Sequence, residues 1–94
     1  MNTQEARSVL AGIVAEHKNR SYAEWVSRID DEPITFEIST TTDRQYQVEI
    51  QAFWDDKRRG NVRVMFAIDD GSWRTSCPLT ESFIVAKDGS FVGE

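Results

Sequence analysis

The sequence predicts an α+β domain: one or two N-terminal helices packed on one face of a four- to five-stranded antiparallel meander sheet. Three observations predict it. Up to Ile29 the apolar residues recur at spacings of three and four. From Ile34 they alternate with polar residues, one for one. Between the alternating runs stand clusters of Asp, Asn, Thr and Gly, the residues that turn a chain.

The first helix is expected over residues 4–18. Ala6, Val9, Leu10, Ile13, Val14 and His17 form its apolar stripe, Asn2 or Thr3 can cap its start, and Glu5 suits the positive end of its dipole. Gly12 lies off the stripe and costs about 1 kcal/mol relative to alanine. Asn19 and Arg20 break the pattern. Ser21-Tyr22-Ala23-Glu24 then fits a capping box, in which serine and glutamate each bond a backbone N–H of the first turn. Tyr22, Trp25, Val26 and Ile29 give the second helix its stripe, and Pro33 stands just beyond its expected end near Asp30.

The strands follow. Ile34, Phe36 and Ile38 alternate with Thr35, Glu37 and Ser39, and Thr40–Asp43 turns the chain. Tyr46, Val48, Ile50, Ala52 and Trp54 alternate with polar residues and Phe53. A charged loop, residues 55–61, leads to Val62, Val64, Phe66 and Ile68. A hairpin centred near residue 58 sets Ile50 opposite Phe66, Val48 opposite Ile68 and Ala52 opposite Val64. A slip by one residue would set polar against apolar along the whole ladder. Asp70-Gly71 is a two-residue hairpin signal that would place Trp73 opposite Ile68, with Thr75, Cys77 and Leu79 following on the inner face. Pro78 lacks an N–H and marks an edge or a bulge. Phe83–Ala86 is a last apolar run, and Phe91-Val92 pairs back briefly. The helical part spans 4–30 and the sheet 33–92 of one domain covering 1–94; no repeat or linker interrupts it.

Composition narrows the function classes. A chain of 94 residues with 39% hydrophobic and 11% aromatic side chains can build one core, which rules out disorder for the bulk of it. The net charge is −5, with 8 acidic and 5 basic residues up to position 47 and 8 against 6 after it. No basic stripe exists, so duplex nucleic acid is not an expected partner. The N-terminus lacks a basic, apolar leader and no run approaches the roughly 18 apolar residues of a membrane span, so a cytoplasmic protein without a membrane role is expected. A single cysteine, Cys77, forms no internal disulfide. Asn19-Arg20-Ser21 fits the glycosylation pattern by coincidence, for want of an export signal.

Catalytic constellations are scarce. His17 is the only histidine, and its place at the end of an apolar stripe reads as a hydrogen-bonded or capping residue. Cys77 reads as a small buried hydrophobe. The acidic runs Asp30-Asp31-Glu32, Asp55-Asp56 and Asp69-Asp70 fall where turns are expected and match no calcium or zinc spacing. The glycines form no phosphate loop. No catalytic residue, metal or cofactor is therefore assigned.

Two sets of residues remain. On the outer face of the central hairpin the register sets Phe53 opposite Arg63 with Met65 diagonal to it, a combination enriched at interfaces. That favours a non-enzymatic binding module with a protein partner or a second copy on its open sheet face. The alternative is a small-ligand or enzyme pocket between helices and sheet, lined by Tyr22, Trp25, Tyr46, Trp54 and Trp73 with His17 or an aspartate as its polar group. Helices followed by long antiparallel strands resemble the cystatin-like and NTF2-like architectures, in which a sheet curls around a helix. The chain is short for a full NTF2-like cone, and such a likeness implies fold and not function.

Overall fold

The computed structural model describes residues 2–71 and 78–93. Its element order is α1 (Thr3–His17), α2 (Tyr22–Ile29), β1 (Ile34–Ser39), β2 (Gln45–Trp54), β3 (Val62–Asp69) and β4 (Leu79–Val85). The four strands make one antiparallel sheet in sequence order, and both helices lie on one face of it. This is the predicted α+β architecture.

Both helices start where the sequence places a cap. The Asn2 side chain accepts from the Glu5 N–H at 3.1 Å, and Ser21 Oγ accepts from the Glu24 N–H at 3.1 Å. Glu24 turns toward Arg20, 3.9 Å away, and makes no reciprocal bond to the serine backbone. Of the α1 stripe, Ala6, Leu10 and Ile13 are buried, while Val9, Val14 and His17 are half-buried; Gly12 is exposed. Helix α1 lies across β3 and β4, and α2 across β2 and β3.

The central register is the expected one: Ile50 pairs with Phe66, Val48 with Ile68 and Ala52 with Val64. All six are buried beneath the helices. Period-two alternation does this because successive side chains point to opposite faces. The layer between helices and sheet is closed by Trp25, Tyr46, Phe83, Val62 and Val85. Strand β1 sits at one edge, and its inward residues Ile34, Phe36 and Ile38 are only half-buried because the helices do not reach across it.

The last hairpin differs from the expectation. Ile68 pairs with Leu79, so the position assigned to Trp73 belongs to Leu79. Trp73, Thr75 and Cys77 lie outside the described residues. The turn signal itself is used: Asp69 Oδ1 accepts from the Gly71 N–H at 2.6 Å, and Gly71 takes the left-handed φ of 78° that glycine tolerates best. It opens a longer connection. The reason lies in the far end of the strand. With Leu79 opposite Ile68, Phe83 falls on Val64 and Val85 on Val62. A two-residue hairpin would have carried Phe83 and Val85 past the end of β3. Pro78, without an N–H, stands immediately before the edge strand β4. The expected return of Phe91-Val92 is a single bridge, Val85 to Phe91, with the Val92 N–H donating to the Ile84 carbonyl at 2.9 Å.

Glu5 ties the first helix to the β1–β2 turn. Its carboxylate accepts from the Thr42 hydroxyl at 2.7 Å and the buried Tyr46 hydroxyl at 2.8 Å, with the Arg44 guanidinium 3.9 Å away. The Thr42 and Tyr46 hydrogen bonds, in that order, hold its pKa below the ordinary 4.5. Burial first, then the bond to Glu5, pushes the Tyr46 phenol above 10.0. A depressed carboxylate pKa contributes stability above the unfolded value, and the contribution disappears as pH falls through the folded value. Glu5→Gln is therefore expected to be less stable than the parent at neutral pH and to lose less stability on acidification. Urea titrations at neutral pH and on the acid side of 4.5 check this, and parallel losses in both proteins would refute it. Some acid sensitivity should survive in the variant, because hydrogen bonds from Ser90 also hold Asp88 low.

Candidate functional site

Nothing in the chain's described residues covers the outer face of the sheet. Beyond the Ser39–Gln45 pair at one end, the strands present four cross-strand rows along that face. Glu37, Gln47 and Asp69 form the first, and Thr35, Glu49, Ala67 and Thr80 the second. Gln51, Met65 and Ser82 form the third, and Phe53, Arg63 and Ile84 the fourth. The face thus runs from an acidic end to an apolar one. Phe53 is 41% exposed and Met65 38%, two of the three large exposed hydrophobics among the described residues.

Phe53 lies opposite Arg63 and diagonal to Met65, as the register predicted. Arg63 is not free for a ligand in this arrangement. Its Nε donates to Asp55 Oδ1 at 3.0 Å and its Nη1 to Ser82 Oγ at 3.2 Å. These bonds tie the guanidinium to the end of β2 on one side and to β4 on the other.

The acidic end was not anticipated. Glu37 and Asp69 flank Gln47, with Glu49 in the adjoining row, around a shallow groove of about 480 Å³ floored by Ala67. The small alanine side chain makes the depression. None of the three carboxylates has an ion-pair partner among the described residues; Gln51 Nε2 donates to Glu49 at 2.7 Å. The β1–β2 register, which gathers them, was the signal that would have found this cluster. Among the described residues no group of three or more His, Cys, Asp or Glu is arranged to hold a metal ion.

The aromatics expected to line an internal pocket are placed as follows. Trp25 and Tyr46 are each 1% exposed. The Trp25 ring meets Phe83 edge-on, 6.0 Å between centroids, and the Tyr22 hydroxyl donates to the Gly60 carbonyl at 2.7 Å. His17 donates from Nδ1 to the Ile13 carbonyl at 2.8 Å and packs 5.9 Å from Phe66. Trp54 is half-buried at the end of β2, and Trp73 is outside the described residues. Tyr22, Tyr46 and His17 thus make internal hydrogen bonds, and Trp25 packs in the layer while bordering a groove beside the α2–β1 connection. One polar atom among them stays buried and unpartnered, Trp25 Nε1.

No helix among the described residues is long and apolar enough to cross a membrane. Comparison with family models, with curated proteins and with solved structures returns no match, so the site stands on its own geometry.

Proposed function

We propose that the chain is a non-enzymatic binding module that takes a protein partner on the outer face of its sheet. One observation carries this: Phe53 and Met65 stand exposed side by side on a face that neither helix covers. Aromatic, Met and Arg residues are enriched where proteins meet, and exposed apolar side chains supply the desolvation energy of such contacts.

The charge pattern selects the partner's chemistry. Among the described residues, Glu37, Glu49 and Asp69 offer negative charge with no ion-pair partner, while the one cation on the face, Arg63, is already paired with Asp55. A basic surface with an apolar spot at one end is complementary to this. Two copies stacked face to face with their strands running the same way would set carboxylates against carboxylates, which disfavours that homodimer.

The double substitution Phe53→Ser with Met65→Ser is expected to abolish partner capture while leaving the far-ultraviolet circular dichroism unchanged. Separately, Glu37→Gln with Glu49→Gln is expected to slow association and flatten its salt dependence. Affinity capture followed by surface plasmon resonance at several salt concentrations measures both. A double serine variant that retains the same partners with the same affinity would overturn the reading.

A further inference from the structure

Strand β2 is longer than the neighbour that shields it. β1 has 6 residues and β2 has 10, and their pairing stops at Ile34 opposite Ile50. Pro33 cannot extend the ladder, since it has no N–H to give. Residues 51–54 of β2 therefore form an edge that β1 does not pair, about 13 Å long at roughly 3.3 Å per residue.

Which backbone groups point there follows from the two turns. In the β1–β2 turn the Thr40 N–H donates to the Arg44 carbonyl at 2.9 Å, so residues 44, 46, 48 and 50 bond toward β1. In the β2–β3 turn the Asp55 N–H donates to the Asn61 carbonyl at 2.9 Å, so residues 55, 53 and 51 bond toward β3. Both turns give the same assignment for the residues between. Ala52 and Trp54 direct their N–H and C=O to the side that β1 leaves unpaired, where they meet no hydrogen-bond partner among the described residues; Ala52, 5% exposed, lies at the floor of that side and Trp54 is half-buried.

A groove of about 180 Å³ lies along this edge, walled by the α2–β1 connection. Trp25, Ile29 and Pro33 give it an apolar side; Arg28, Asp31 and Glu32 give it a polar end. The groove thus combines backbone donors and acceptors at strand spacing with an apolar recess on the inner side. A small rigid ligand matches only part of that pattern. An extended peptide backbone matches all of it.

We propose that this edge takes an extended segment of a partner protein, added beside Ala52–Trp54 in line with β1 as an extra strand. The residue opposite Ala52 turns inward over Trp25 and Ile29 and is apolar. The residue opposite Phe53 turns outward and lies against that ring. A basic residue follows at the end that meets Asp31 and Glu32; Asp31 already binds Arg28 at 3.0 Å, whereas Glu32 has no ion-pair partner among the described residues. A second copy is the weaker fit. Pairing two such edges about a two-fold axis at residue 53 would drive Asp55 and Asp56 of each copy against Asp31 and Glu32 of the other. This site borders the sheet face proposed above and shares Phe53 with it, but it does not depend on that face taking a partner.

The test selects a phage-displayed random octapeptide library against the full chain. Enriched sequences are then made as free peptides and N-methylated one residue at a time. The expected result is enrichment of alternating apolar sequences bearing a Lys or Arg. N-methylation should weaken binding about tenfold at every second residue and spare the residues between, because only those N–H groups face β2. Amide hydrogen exchange at Ala52 and Trp54 should slow at least about tenfold in the complex. Met65→Ser, which impairs the sheet face, should leave this binding unchanged. No enrichment, N-methyl effects without alternation, or protection confined to the outer face would each overturn the proposal. So would a dimer in which the Ala52 and Trp54 amides are already protected without peptide.

Discussion

Phe66→Ala is expected to cost about 3–5 kcal/mol, the range for truncating a fully buried aromatic. Phe66 has no exposed surface. It sits at the middle of β3, paired with Ile50 on one side and Glu81 on the other. Above it lie Phe83, 5.6 Å between ring centroids, and His17 at 5.9 Å. The ring therefore joins α1 to three of the four strands, and none of its neighbours can collapse into the space without breaking a ladder or lifting the helix. A domain of this size has roughly 5–10 kcal/mol of stability in all. The variant should melt about 12–40 °C lower, at the conversion usual for small domains. Urea unfolding should show a lower midpoint with an unchanged slope, since the surface exposed on unfolding stays the same. A loss under about 1 kcal/mol would mean that the helices do not rest on the sheet as described.

How much of this was legible in the sequence depended on how local each choice was. The change from helical spacing to alternation at Ile34 is a property of adjacent residues, and it gave both layers. The β2–β3 register was legible because only one pairing sets Val48, Ile50 and Ala52 against Ile68, Phe66 and Val64. The β3–β4 register was not. Asp70-Gly71 reads locally as a tight hairpin, and the decision rests on Phe83 and Val85 reaching Val64 and Val62, more than ten residues away. The sheet-face residues Phe53, Arg63 and Met65 came from the register that was correct, so their neighbourhood was correct as well. The gathering of Glu37 with Glu49 and Asp69 was not legible, because nothing local in the sequence sets the β1–β2 register. The open edge at Ala52 and Trp54 needed the lengths of β1 and β2 together. Pro33 was the hint: a residue without an N–H placed where β1 would otherwise have continued to shield its neighbour.

Trp25 separates volume from hydrogen bonding, and two substitutions should show it. Trp25→Ala is expected to cost about 3–5 kcal/mol, because the indole is the largest side chain in the layer and is 1% exposed. It meets Phe83 edge-on and carries the Arg20 guanidinium 5.6 Å from its ring. Trp25→Phe keeps one ring for those contacts and forfeits part of the buried area, a loss of about 1–3 kcal/mol on its own. It also removes Nε1, which is buried with no partner; an unmet buried donor costs about 1–3 kcal/mol. The two effects oppose each other and are of the same size, so the phenylalanine variant should lie within about 1 kcal/mol of the parent. Paired urea titrations of the two variants give the comparison. If Trp25→Phe proves nearly as damaging as Trp25→Ala, the indole N–H is making a bond that matters. The space around Trp25 and His17 would then hold a polar group from solution, and the pocket between helices and sheet would return as the site to pursue. If phenylalanine is tolerated, the indole serves this fold by shape alone, and the binding surfaces lie outside the core.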